Sequence, residues 1–303
     1  MGIVKLDLLS LRTLGALSEL DLPIKDNDQT TFDMLSSGKT LGVFQLESST
    51  QRDLQQRLKP KNFKDIFASV ALMRPGPIKG NMVEPFIKRH NKQEDISYIS
   101  NEVKPYLEKT YGVIVFQEQI IEIATNLGGF TPGESDRLRK ALSSRKRAPE
   151  LLEYKTLFLK RAQKRGIPEE TAKTIFNTLE SFAGYGFCEA HAASFAQTAY
   201  KTAYLRCHYP AEFFAAILNN QPLGYYPPQS VLWEAKHCGV KIVPLNINSS
   251  PIETKGKDNQ IYLGLKLIKS LSTTLLEKII CNRPFKSLTD LDFISPNKLR
   301  PLI

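Results

Sequence analysis

Cysteine is scarce in this sequence: four of 303 residues, at positions 188, 207, 238 and 281, with no C-x-x-C pair among them. That spacing suggests neither a zinc knuckle nor a disulfide framework, and it fits a reducing cytoplasm. No apolar run approaches the roughly 18 residues of a membrane-spanning helix, and Met-Gly-Ile-Val-Lys5 lacks the long apolar centre of a secretory leader. The Met-Gly start is also a poor myristoylation match, because Leu6 stands where Ser or Thr is preferred. Internal repeats and low-complexity tracts are missing. Acidic residues are in deficit, 31 against 41 lysines and arginines, for a net charge of +10. This balance favours a polyanionic partner without requiring one. With 42% hydrophobic residues, the chain can bury a real core in one large domain or two ordinary ones.

Residues 1 to 22 alternate apolar and charged positions around Lys5, Asp7 and Arg12, the pattern of a short strand running into a helix. A helix about Thr31 to Ser37 and an apolar strand from Leu41 to Phe44 lead into a helix from Gln45 to Arg57, which Pro60 stops. From Phe63 to Asn219 helical spacing dominates, broken at Arg74-Pro-Gly-Pro77, Gly128-Gly129, Gly166-Ile-Pro168 and Gly184-Tyr-Gly186. Gly133-Glu-Ser-Asp136 and Pro168-Glu-Glu-Thr171 each open a helix with acids in the first turn, where the helix dipole favours them. After Gly224 and Pro227-Pro228 the pattern gives a helix about Gln229 to His237, a strand at Val240 to Val243, a polar loop over 248 to 260, a strand from Ile261 to Leu265 and a helix from Ser272 to Cys281. The fold class that follows is mainly α.

Six basic residues, Arg137, Arg139, Lys140, Arg145, Lys146 and Arg147, fall in eleven positions with no acid between them. On a continuous helix 139 and 146 lie about two turns apart with 140 and 147 beside them, so several cations share a face that can neutralise phosphates. An ordinary solvated face mixes both signs to gain i,i+4 pairs. A second group, Lys160, Arg161, Lys164 and Arg165, fits a phosphate-binding face and a solvated face equally well.

Phe182-Ala-Gly-Tyr-Gly-Phe-Cys-Glu-Ala-His-Ala-Ala-Ser-Phe-Ala196 places one histidine at the start of a small-residue helix, behind a glycine-hinged aromatic turn. A lone histidine is ordinarily a core or capping residue, and an imidazole at a helix start can also donate to a triphosphate oxygen.

This run, together with Tyr200-Lys-Thr-Ala-Tyr-Leu-Arg-Cys-His-Tyr-Pro210, resembles the fingers region of bacterial family C DNA polymerases, the DNA polymerase III alpha subunits. Leu41-Gly-Val-Phe-Gln-Leu-Glu47, Met73-Arg-Pro-Gly-Pro77, Tyr111 to Ile123 with Phe116-Gln-Glu-Gln119, and Gly133-Glu-Ser-Asp-Arg-Leu-Arg-Lys140 extend it colinearly over residues 3 to about 293. Where the family commonly has Asn-Lys-Ser before the histidine, this chain has Cys188-Glu-Ala190; with Leu218-Asn-Asn-Gln-Pro-Leu-Gly-Tyr-Tyr226, it looks more like the error-prone branch than the main replicase.

The resemblance implies a DNA-directed DNA polymerase, a nucleotidyltransferase of replication or error-prone repair in the bacterial cytoplasm. Its partners would be primer-template DNA, a deoxynucleoside triphosphate and replication accessory subunits or a separate palm-bearing chain, with no membrane. It implies three segments: a palm edge over 1 to 24, helical fingers over 25 to 223, and a linker with a partial helix-hairpin-helix domain over 224 to 303. Arg139 and Lys140 match the pair on the incoming phosphates, His191 the histidine beside the nucleotide, and Arg145, Lys146 and Arg147 are the candidates for DNA backbone. Asp7, in Lys5-Leu-Asp-Leu-Leu-Ser-Leu-Arg12, matches the third of the three catalytic aspartates that together hold two magnesium ions in a complete active site.

The other two aspartates belong to an Asp-x-Asp motif expected before residue 1, and the OB domain and clamp contact after residue 303. Asp26-Asn-Asp28 has the spacing but sits in a polar linker, and Asp290-Leu-Asp292 is no better placed. The expectation is therefore a chain inactive by itself. A DNA-binding module without chemistry and one subunit of a split polymerase are the alternatives. Gly264-Leu-Lys-Leu-Ile-Lys-Ser270 resembles the hairpin that binds duplex backbone, although Ser270 replaces its second glycine.

Overall fold

The computed structural model describes residues 11–74, 77–78, 81–142, 148–181, 187–224 and 226–294. They form two compact units that interleave along the chain: one from Phe32–Lys39 and Gln45–Tyr200, the other from residues up to Thr31, Thr40–Phe44 and residues from Lys201 onward. The segments 1–24, 25–223 and 224–303 implied by the resemblance divide the chain end to end, whereas the compact units interleave.

In the central unit the helices start where a side chain can satisfy the free backbone donors of a first turn. Helix α1 (Arg12–Ser18) belongs to the other unit, and α2 (Gln29–Ser36) leads into this one. Ser48 caps α3 (Ser49–Leu58) and Asn62 caps α4 (Phe63–Leu72), each accepting from backbone N–H groups of the turn it opens. The sequence places the start of α3 too early, since Gln45 has φ of +60° and does not enter a helix. Helices α5 (Val83–His90) and α6 (Lys104–Leu107) precede α7 (Gln117–Asn126). The entry to α7 is fixed by buried Gln119, whose Oε1 accepts from the N–H groups of Val115 and Phe116 at 2.8 and 2.9 Å. The Gln119 amide nitrogen donates to Thr110 Oγ1 at 2.7 Å, so the buried amide is satisfied at both ends.

Helix α8 (Pro132–Leu142) opens with a reciprocal cap, in which the Thr131 N–H donates to Glu134 Oε2 and the Glu134 N–H donates to Thr131 Oγ1. Helices α9 (Ala148–Lys164), α10 (Glu169–Ser181) and α11 (Glu189–His208), the last as far as Tyr200, complete the helical series of this unit. The core of this unit gathers Leu54, Leu58, Phe86, Phe116, Phe158 and Phe176, all at most 1% exposed. Each such side chain stabilises the fold by roughly 1.5–3 kcal/mol. Gly128 lets Phe158 in: a Cβ there would lie 2.4 Å from its ring.

In the other unit, α12 (Pro210–Asn219) is buried along most of its length through Phe213, Phe214, Ile217 and Leu218. Around it lie α13 (Pro228–His237) and a three-stranded sheet of β1 (Lys241–Val243), β2 (Lys255–Lys257) and β3 (Gln260–Tyr262), in the order β1-β3-β2. β1 and β3 run parallel, and β2 and β3 form an antiparallel hairpin. The expected loop over 248–260 thus contains a strand. Its signal is hidden because β2 is Lys-Gly-Lys, and its turn uses Asp258 and Asn259 at φ of +51° and +55° rather than a glycine. Gly256 lets β2 press on α12, for a Cβ there would sit 2.2 Å from the Ala211 carbonyl oxygen.

The strand expected at Leu41 to Phe44 does not form. Gly42 takes φ of +83°, the Val43 N–H donates back to the Thr40 carbonyl at 3.0 Å, and the segment is a turn. A smaller core of Leu265, Ile268, Leu276, Ile279 and Phe285 surrounds α14 (Thr273–Cys281), capped by Ser272. The mainly α class holds. The strand expected within residues 1–10 lies outside the described residues.

Candidate functional site

Arg139 and Lys140 close the last turn of α8, where cations complement the helix dipole. Asp136, one turn earlier, holds both. Its Oδ1 accepts from Arg139 Nε and Nη2 at 3.0 and 2.9 Å, and its Oδ2 lies 2.7 Å from Lys140 Nζ. The hydrogen bond from Lys140 and then that from Arg139 hold the Asp136 carboxyl below the usual carboxylate range. Scanning for acids only between 137 and 147 misses this residue; the i,i+3 and i,i+4 spacing from position 136 gives it away. The described part of α8 ends at Leu142 and α9 begins at Ala148. Arg145, Lys146 and Arg147, like Asp7, lie outside the described residues.

A third group reaches Arg139 from α7, where Gln117 Oε1 accepts from Arg139 Nη1 at 3.3 Å. The Gln117 N–H in turn donates to the Phe187 carbonyl at 3.1 Å, and Phe116 and Phe187 form a parallel β-bridge. Arg139 is thus tied to Phe187, just before α11.

His191 stands exposed in the first turn of α11. Its ring centroid is 4.0 Å from that of Phe195 and 5.1 Å from that of Phe187, an aromatic ladder at positions 187, 191 and 195. The Arg74 guanidinium lies over the Phe187 ring at 4.4 Å. The small residues of α11 face the other way: Ala192, Ala196 and Ala199 are fully buried. Their smallness serves packing and leaves the histidine face open. The helix start is held by Glu118, whose Oε2 accepts from the Glu189 N–H at 2.9 Å. Lys109 Nζ donates to both Glu189 carboxylate oxygens at 2.8 and 2.7 Å, neutralising the acid beside His191.

The second basic group divides. Arg161 forks onto Glu134 at 2.9 and 3.1 Å, and its hydrogen bonds, with those of Thr131, bring the Glu134 carboxyl down to about 2. Arg165 donates to the Asn126 carbonyl. Lys160 and Lys164 are exposed. Two of the four cations therefore tie α9 to its neighbours.

One member of each acidic pair caps local backbone. Asp28 Oδ2 accepts from Thr31 N–H and Oγ1, both at 2.8 Å, and lies 2.8 Å from His208 Nε2. Asp290 accepts from the Lys286 and Ser287 N–H groups. Among the described residues no group of three His, Cys, Asp or Glu side chains could hold a metal ion, and no helix is long and apolar enough to cross a membrane.

Residues 13–166 match the profile described as the bacterial DNA polymerase III alpha subunit finger domain, and residues 239–295 match a helix-hairpin-helix motif. Similar proteins include an error-prone DNA polymerase of Symbiobacterium thermophilum, 52% identical over 258 residues that make up 82% of this chain and 24% of the relative. Another is an error-prone DNA polymerase of Vibrio vulnificus, 39% identical over 94% of this chain and 30% of the relative. A third, from Corynebacterium efficiens, carries the same name and is 39% identical over 96% of this chain and 28% of its own length. The chain spans about a quarter to a third of the length of these curated relatives.

Proposed function

The chain belongs to the bacterial DNA polymerase III alpha-subunit family, and on that premise we propose that it receives the incoming deoxynucleoside triphosphate and the primer-template during replication or error-prone repair synthesis. In this reading Arg139 and Lys140 take the triphosphate oxygens and His191 lies beside the nucleotide, while Arg145, Lys146 and Arg147 follow the DNA backbone. The observation that carries the proposal is the linkage of Arg139, through Gln117, to Phe187, whose ring lies beside that of His191. Arginine suits phosphate because its planar fork can donate two parallel bonds, and a lysine beside it adds a mobile point charge. The aromatic ladder offers π faces on which a nucleobase can stack without sequence preference. The match over residues 239–295 suits sequence-independent contact with duplex backbone.

Family members use magnesium, and Asp7 is the residue proposed to meet it. The described residues supply no three-carboxylate cluster to hold it. We propose that these 303 residues by themselves bind but do not extend DNA. Fluorescence anisotropy of a labelled primer-template, titrated across salt, tests the reading. If about four phosphates are neutralised, affinity falls about 100-fold between ~50 and ~200 mM salt, and Arg139→Ala with Lys140→Ala weakens binding and flattens the slope. No binding by folded protein would refute the reading, and magnesium-dependent primer extension by the purified chain would refute the claim of inactivity.

A further inference from the structure

Three consecutive residues, Phe116, Gln117 and Glu118, make three different attachments. Phe116 pairs with Phe187 in the parallel bridge. Gln117 holds Phe187 through its backbone N–H and Arg139 through its side chain. Glu118 accepts the Glu189 N–H from 71 residues away, supplying from α7 the capping oxygen of α11's first turn. The tripeptide is itself held: Phe116 is 1% exposed in the core, and the Gln119 side chain fixes its N–H. One turn of backbone thus sets both the Arg139 guanidinium and the helix turn that carries His191.

We propose that Gln117 and Glu118 are positioning residues of the nucleotide site, a yoke that fixes Arg139 and His191 relative to each other. Gln117 acts through Arg139, and Glu118 acts through His191. This rests on the reading of Arg139 and His191 as nucleotide contacts and adds which residues govern their geometry. Gln117 is a neutral acceptor, so it orients the guanidinium without cancelling the charge that a phosphate needs. Glu118 places its negative charge at the positive end of a 20-residue helix, where it stabilises the turn and is itself stabilised. Neither residue needs to touch the nucleotide.

The test is a pair of double-mutant cycles on the 303-residue chain, read by calorimetric titration with dATP, with thermal melts to confirm folding. Glu118→Ala is expected to weaken dATP binding about fivefold, the usual scale for loss of a helix cap. Glu118→Gln keeps an acceptor oxygen but loses the charge, and is expected to recover part of that loss. The Glu118→Ala loss should vanish in a His191→Ala background, and the Gln117→Ala loss should vanish in an Arg139→Ala background. Losses that persist undiminished in those backgrounds would overturn the yoke while leaving Arg139 and His191 as nucleotide contacts. Folded Glu118→Ala and Gln117→Ala variants that bind dATP as the parent does would also overturn it. If the parent binds dATP and neither Arg139→Ala nor His191→Ala weakens it, the functional reading fails first and the yoke with it.

Discussion

Asp136 shows how one residue changes the meaning of its neighbours. With Arg139 and Lys140 both on its carboxylate, the local charge that a polyanion meets is less than the sequence count suggests. Asp136→Asn should tighten primer-template binding at low salt and steepen the salt slope by up to about one; an unchanged slope would mean that the cations do not meet phosphate. A second residue pair lies away from the site. His90 Nε2 is 3.0 Å from Asp65 Oδ1, with side chains only 7% and 6% exposed. The hydrogen bond to Asp65 raises the His90 pKa against the opposing effect of burial. Burial pushes the Asp65 carboxyl up, but hydrogen bonds from His90 and the Lys61 N–H outweigh it, leaving the pKa below its ordinary value. The His90 contribution is therefore complete below about 6.5 and lost as pH rises through its raised folded value; the Asp65 contribution is complete above about 3.9 and lost as pH falls through its lowered one. Thermal melts should show a plateau between these limits. His90→Asn should remove the alkaline decline and, because the Asp65 carboxylate keeps its bond from the Lys61 N–H, cost roughly 1–3 kcal/mol.

At the scale of elements, α8 was legible from the acid in its first turn, Glu134, and α14 from Ser272 ahead of an apolar period, whereas the sequence pattern begins α3 three residues before its cap, Ser48. What misled was local. Leu41 to Phe44 has a strand's composition, yet Gly42 in the left-handed region turns the chain; β2 has none of that composition, yet it pairs because Gly256 lets it lie on α12. In the site, Arg139, Lys140 and His191 were readable as residue types in a family pattern, whereas Gln117, Glu118 and Lys109 acquire their roles from partners 22, 71 and 80 residues away, which no periodicity encodes. The α7–α9 contact offers a packing test. Gly128→Ala drives a methyl group into the buried Phe158 ring and to 2.7 Å from the Ala124 carbonyl oxygen, so chemical denaturation should show a loss of about 1–3 kcal/mol.

For the whole molecule, a net charge of +10 is spent unevenly. Arg161, Arg165 and Arg206 are engaged in holding helices and turns, the last through Glu234 and the Leu41 carbonyl. The residue pair Asn219-Asn220, part of the pattern that set the branch in sequence, has a packing task as well. Asn220 donates to Glu19, and Asn219 exchanges hydrogen bonds with the Thr254 N–H and carbonyl. The interleaving of the two units also bears on how the chain is made. The unit containing α1 draws on residues up to Thr31 and then on residues from Lys201 onward, about 170 positions later. At ribosomal speeds of about 5–20 residues per second, α1 emerges roughly ten to forty seconds before α12, the helix it packs against. During that interval its apolar side chains have no native cover, and the helical unit between them can fold first.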